Sequence, residues 1–165
     1  MIPTEEQAKK LWDKYRLPEN KRVHVALVAQ VAVSFASKIQ NVNIPLVRAA
    51  GLLHDIDKAA QKLPGEQHPD TAVRILKEEG MEEVAALVKT HPLHAILDPM
   101  ITPKTWEEKC LYLADKMVKY EILTVDERFD LWRAEDLPEN ARTILEQAYP
   151  KVKLLEREMY AILRQ

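Results

Sequence analysis

Apolar residues recur at three- and four-residue intervals through nearly every segment of the chain, the spacing of helices that bury one face. Thr4 opens the first with a capping pattern, Gln7 following three residues on, and Ala8, Leu11, Trp12 and Tyr15 form a buried stripe that stops at Leu17-Pro18. From about Arg22 to Ile39 the chain is apolar nearly all round. Its length and interspersed alanines predict a helix in the middle of a bundle rather than a strand, with His24 in the first turn. Pro45 suits the first turn of a third helix, whose Leu46, Val47, Ala50, Leu53 and Ile56 share a face. Gly51 within it predicts the close approach of another helix, since a mid-helix glycine otherwise costs about 1 kcal/mol.

A polar loop is expected from Ala59 to Gln67, then a helix that starts at Pro69-Asp70 and closes at Gly80, then an amphipathic helix from Met81 to Thr90. Pro92 to Lys104 reads as a proline-punctuated loop. Thr105 and Glu108 form a second capping box ahead of Cys110, Leu111, Leu113, Ala114, Met117 and Val118. Two further helices follow, Asp126 to Trp132 and Leu137 to Leu163, with Pro150 expected to kink or break the last. The tetrad Leu-Pro-Glu-Asn occurs at Leu17 and again at Leu137, which is shared helix-start chemistry rather than a repeat.

Composition narrows the class. With 165 residues, 47% hydrophobic and 30% charged, the chain fits one globular domain, and its three glycines exclude hairpin-rich sheets and a phosphate-cradling glycine loop. A net charge of −2 with interleaved signs presents no extended nucleic-acid surface. Cys110 is the single cysteine, so no intrachain disulfide forms; it reads as a small buried hydrophobe, and a cytoplasmic localisation is expected. The polar, acidic start from Met1 to Glu6 is unlike a signal peptide, and the apolar run Val23 to Ala36 is too short to span a bilayer.

The chemistry concentrates at helix ends. His54 and Asp55 terminate the third apolar run, and an imidazole beside a carboxylate can form half of a metal site. His24, His68, His91 and Asp115 join them as candidate ligands from different helices, the placement a bundle-core metal site requires. Asp115 is the one carboxylate in an apolar stretch, where a buried charge needs a partner or a metal. His94 follows in a loop with no evident role. Each residue also has a plain structural reading as a core, surface or dipole-favoured terminal group.

The order of these residues resembles the HD superfamily of metal-dependent phosphohydrolases, whose first His, His-Asp pair and distal Asp match His24, His54-Asp55 and Asp115. The segments HVALVAQVAVSFA, AAGLLHDIDK, HPDTAVRILKEEG, VAALVKTH and LYLADKMVKYEILTVDERF carry the likeness, in order, over residues 20 to 132. The resemblance implies an all-α, single-domain HD-type helical bundle over 1–165, with an N-terminal helix at 4–16 and a C-terminal helical extension at 137–164. The additional histidines resemble the branch with two metals, which includes the HD-type hydrolases that split diadenosine tetraphosphate symmetrically. That branch implies His24, His54, Asp55 and Asp115 around one ion, His68 and His91 on a second, and Asp55 as the bridge. It usually has Gly where this chain has Asp57, which either faces solvent at a helix end or supports a ligand.

The implied cofactor is a divalent transition metal, two ions of Fe, Mn, Co, Ni or Zn, and the implied reaction is hydrolysis of a phosphoester or phosphoanhydride in a small nucleotide-like substrate. Asp55 and Lys58 are implied as catalytic residues, and Lys58, Lys116 and Arg128 as substrate-binding ones. Lys58 also reads as a cation at a helix carboxyl end, and Lys116 and Arg128 as surface charges or ion-pair partners. The alternatives are a mononuclear nucleoside 5′-monophosphatase, a non-catalytic metal- or nucleotide-binding module, and a helical scaffold with incidental histidines. The apolar content is compatible with a homodimer.

Overall fold

The computed structural model describes all 165 residues. The chain forms α1 (Glu5–Lys14), α2 (Glu19–Ala36), α3 (Ile44–Leu53), α4 (Asp70–Glu78), α5 (Glu82–Lys89), a 3₁₀ turn over Leu93–Leu97, α6 (Trp106–Asp115), α7 (Val125–Arg133) and α8 (Glu139–Leu163). No strand forms beyond an isolated bridge between Val118 and Ile122. No helix is long and apolar enough to cross a membrane.

Local chemistry sets most of these boundaries. Thr4, Thr105 and Thr124 each accept a hydrogen bond from the backbone N–H three residues on, and the side chain there accepts one from the cap N–H, so α1, α6 and α7 begin with reciprocal capping boxes. In both Leu-Pro-Glu-Asn tetrads the proline is the extended N-cap and the glutamate the first helical residue. α2 therefore starts three residues before the expected Arg22, because its polar first turn is helical too, and His24 lies in the second turn rather than the first.

Two other expectations are corrected. Pro150 does not break α8, whose Leu145, Ala148, Val152, Leu155 and Met159 form one buried stripe across it. Pro150 is exposed, so the carbonyl it frees can be hydrated. α3 ends at Leu53 instead of continuing through Ile56: the next residues tighten into turns, with Ile56, Lys58 and Ala60 donating to the carbonyls of Leu53, Asp55 and Asp57.

The core centres on α2 and α3, with α6 against both, α1 and α5 against α3, and α8 along α6, α7 and the 3₁₀ turn. A Cβ on Gly51 would lie 2.6 Å from the Ala29 Cα, so α3 crosses α2 at backbone contact and nothing larger than hydrogen fits between them. Trp12 ties α1 to the same place by donating its indole N–H to the Leu52 carbonyl at 2.8 Å.

Gly51→Ala tests this crossing. The intrinsic helix gain of about 1 kcal/mol is expected to be overridden by overpacking, with a net loss of about 1–3 kcal/mol. Urea unfolding should show a lower midpoint with an unchanged slope; an equal or higher midpoint would mean that α2 can move aside freely.

Candidate metal centre

Three helix ends converge on one face of the α2–α3 pair. His24 comes from the second turn of α2, His54 caps the end of α3, Asp55 follows in the first tight turn, and Asp115 is the last residue of α6. His24 Nε2 lies 3.1 Å from Asp115 Oδ1 and 3.3 Å from His54 Nε2. His54 Nε2 lies 3.3 Å from Asp115 Oδ1, and both imidazole nitrogens are 3.8 Å from Asp55 Oδ2. Two more histidines stand on the other side of Asp55. His68, ahead of α4, and His91, after α5, meet at 2.9 Å between their Nε2 atoms, and His68 Nε2 is 3.6 Å from Asp55 Oδ1.

The opposite edge of each ring is anchored. His24, His54 and His91 donate from Nδ1 to the carbonyls of Lys119, Gly51 and Val88, while His68 donates from Nδ1 to the Asp57 carboxylate at 2.9 Å. Carbonyl and carboxylate oxygens only accept, so these bonds put the proton on Nδ1 and leave the Nε2 lone pair of the neutral ring facing inward. Lone pairs opposed at 2.9 and 3.3 Å do not bond one another. A cation between them resolves the conflict. Ligand bonds of about 2.1 Å place neighbouring donor atoms about 3.0–3.5 Å apart, close to the observed spacings, so these side chains fit divalent ions.

Sequence comparison agrees with the geometry. Residues 23–119 match the family model described as HD domain, a stretch that contains all six clustered ligand candidates. The chain belongs to the HD-domain family. It is 31% identical over 146 residues to an uncharacterized protein of Methanocaldococcus jannaschii, covering 77% of this chain and 85% of that one. It is also 35% identical over 92 residues to a tRNA (cytidine(56)-2′-O)-methyltransferase of Thermoplasma volcanium, covering 55% of this chain but 26% of the methyltransferase. No solved structure matches.

Family membership places this HD domain among proteins that are generally metal-dependent hydrolases, and its buried charges suit that chemistry. Burial opposes the charge on Asp55, yet the cationic side of its surroundings, Lys58 included, holds the carboxyl well below the usual carboxylate range. Asp115 behaves alike, with Lys116 the main opposing charge to burial. Burial pushes His91 well below the usual histidine range, so it stays neutral and ready to ligate.

The HD domain also places the remaining sequence candidates. Lys58 reaches within 3.7 Å of Asp55 Oδ1 with about a third of its side chain exposed. Asp57 does not face solvent: it is 1% exposed and orients His68. Lys116 is not a surface charge but is buried, donating from Nζ to Asp115 Oδ2 and the His91 carbonyl, each at 2.7 Å. Arg128 is neither a surface charge nor an ion-pair partner; it is buried with a single hydrogen bond, from Nε–H to the Val118 carbonyl. His94 is exposed on the 3₁₀ turn and lines no part of the cavity.

A cavity of about 430 Å³ opens over the cluster, lined also by Lys21, Lys119, Tyr120, Trp132 and Glu135. Sequence reasoning missed these. Lys21 had a usable signal, standing three residues before His24 on the same helix face, and its Nζ is 3.8 Å from Asp55 Oδ2.

Asp57→Asn keeps the shape of the side chain but weakens the acceptor that orients His68. Metal titration of this variant should show affinity weakened about ten- to hundredfold for an ion that His68 ligates. Metal affinity unchanged from the wild type would exclude Asp57 as a support for His68.

Proposed function

We propose that this HD domain is a two-metal phosphohydrolase that cleaves a phosphoester or phosphoanhydride bond in a small nucleotide-like substrate. One observation carries the reading: the Asp55 carboxylate turns Oδ2 toward His24 and His54 and Oδ1 toward His68, the attitude of a bridge between two ion sites. His24, His54 and Asp115 complete one site, and His68 and His91 the other. This arrangement supports placement in the branch that includes the symmetrical diadenosine tetraphosphate hydrolases.

Bound divalent ions supply a nucleophilic water at neutral pH and positive charge for the phosphoryl oxygens. The protein's own groups do the rest. Asp55 holds the two halves of the site in register, and Lys58 and Lys21 stand at its edge, placed to neutralise phosphoryl oxygens. Lys116, buried in the cavity wall, keeps Asp115 ionised. Tyr120 and Trp132 in the cavity wall give a flat group apolar surface to lie against, and the cavity volume suits a small ligand. The activity printed for the methyltransferase relative belongs to that protein, of which the matched region is 26%.

The decisive experiment pairs metal content per chain with phosphate release from a nucleotide panel that includes diadenosine polyphosphates. Two equivalents and metal-dependent turnover are expected, and chelation should abolish activity and lower the melting temperature. Asp55→Ala should remove turnover by at least about a thousandfold with helical circular dichroism intact. One equivalent with His68→Ala fully active would reduce His68 and His91 to structural residues; retained turnover in Asp55→Ala would exclude the bridge.

A further inference from the structure

Arg128, in the cavity wall, carries the one fully buried side-chain polar atom that has no hydrogen-bond partner. It is 9% exposed, yet no carboxylate pairs with it. Glu135, in the same wall, pairs with Lys119 at 3.4 Å, and Asp115 pairs with Lys116 at 2.7 Å. The only hydrogen bond of Arg128 runs from Nε–H to the Val118 carbonyl at 3.2 Å, and its Nη1 is fully buried without any partner. A buried guanidinium normally has a counter-ion, because desolvating a charge without compensation is among the largest costs a fold can carry. A buried donor with no partner marks a missing acceptor.

The surroundings hold this group rigidly and near the metal ligands. Cζ lies 3.7 Å from the centroid of the Trp132 ring, which fixes the guanidinium plane, and Trp132 in turn packs edge-on against Phe129. The Val118 carbonyl takes Nε–H of Arg128, and the next carbonyl in the chain, that of Lys119, takes Nδ1–H of His24. One residue step of backbone therefore separates the anchor of the guanidinium from the anchor of a metal-ligand candidate.

We propose that Arg128 is a second anion subsite of this cavity, taking a phosphoryl group further along a continuous phosphate chain from the one held at the His-Asp cluster. The substrate is then a compound with a phosphoanhydride chain rather than a simple monoester. This rests on the phosphohydrolase reading for the cluster itself. Arginine suits the task because its planar fork bonds two phosphoryl oxygens at once.

The test is a calorimetric titration of the full chain with inorganic phosphate, pyrophosphate and tripolyphosphate, on metal-loaded and chelator-treated protein. In the wild type, affinity should rise about ten- to hundredfold at the step where the chain becomes long enough to reach Arg128. Arg128→Gln should abolish that rise while changing phosphate affinity less than about twofold, and Arg128→Lys should recover part of it. A flat series in the wild type overturns the proposal without any variant. So does an Arg128→Gln series that keeps the rise, including one in which all three anions weaken together, as a purely structural role predicts. If Arg128→Gln does not fold, Arg128→Lys decides, with a smaller rise in support and an unchanged one against. Failure of the hydrolase reading shows separately, as absent metal and absent turnover, neither of which enters this comparison.

Discussion

Each of the four clustered imidazoles donates its Nδ1–H to an oxygen that cannot donate back, and the rest of the bundle is arranged to present those four oxygens. Two of them are carbonyls in the last turn of a helix, where no intrahelical partner remains: Gly51 takes His54 and Val88 takes His91, each three residues on. Ending α3 at Leu53 and α5 at Lys89 is therefore part of the site. The third is the Lys119 carbonyl, offered by the short turn closed by the Val118–Ile122 bridge, and the fourth is Asp57. The consequence is a buried concentration of lone pairs and carboxylate charge that only cations can balance. Lys116 supplies one such cation, bonded to Asp115.

The close crossing of α2 and α3 follows from the same requirement. His24 and His54 come from different helices, and their Nε2 atoms meet at 3.3 Å only because Gly51 lets the two backbones touch at Ala29. A side chain at position 51 would push apart helices that the site needs together. The carbonyl of that same glycine holds His54, so one residue fixes both the spacing of the helices and the orientation of a ring.

Much of this was legible in the sequence where the chemistry is local. Capping boxes at Thr4 and Thr105 and the proline start at Pro138 need only neighbouring residues, and histidines next to helix ends stand out by type. The end of α3 was not legible, because Ile56 is buried whether the helix continues at 100° per residue or tightens into turns, so periodicity through it carries no information. Nor was the partnership of Asp57 with His68, which depends on how the loop between them closes. The burial of Arg128 was equally hidden. Its helix is amphipathic, but which wall it completes is decided by the turn from Met117 to Leu123, where Leu123 donates back to the Met117 carbonyl.

That turn links two side chains that could have been independent. Because the carbonyls of Val118 and Lys119 point to Arg128 and to His24, any shift of the turn moves the guanidinium and a metal-ligand candidate together, and the distance between them is set by backbone geometry rather than by flexible side chains. Lysines could balance charge at either place, but their flexible stems would not hold a distance. The part-exposed lysines instead sit at the edges, Lys21 and Lys58 against Asp55 and Lys119 against Glu135, where adjustable charge is sufficient. The cavity thus divides its cations by rigidity, lysines on adjustable stems at the rim and one guanidinium fixed in the wall; under the proposed function the first suit a phosphoryl group that enters and leaves, and the second one that must be held at a set distance.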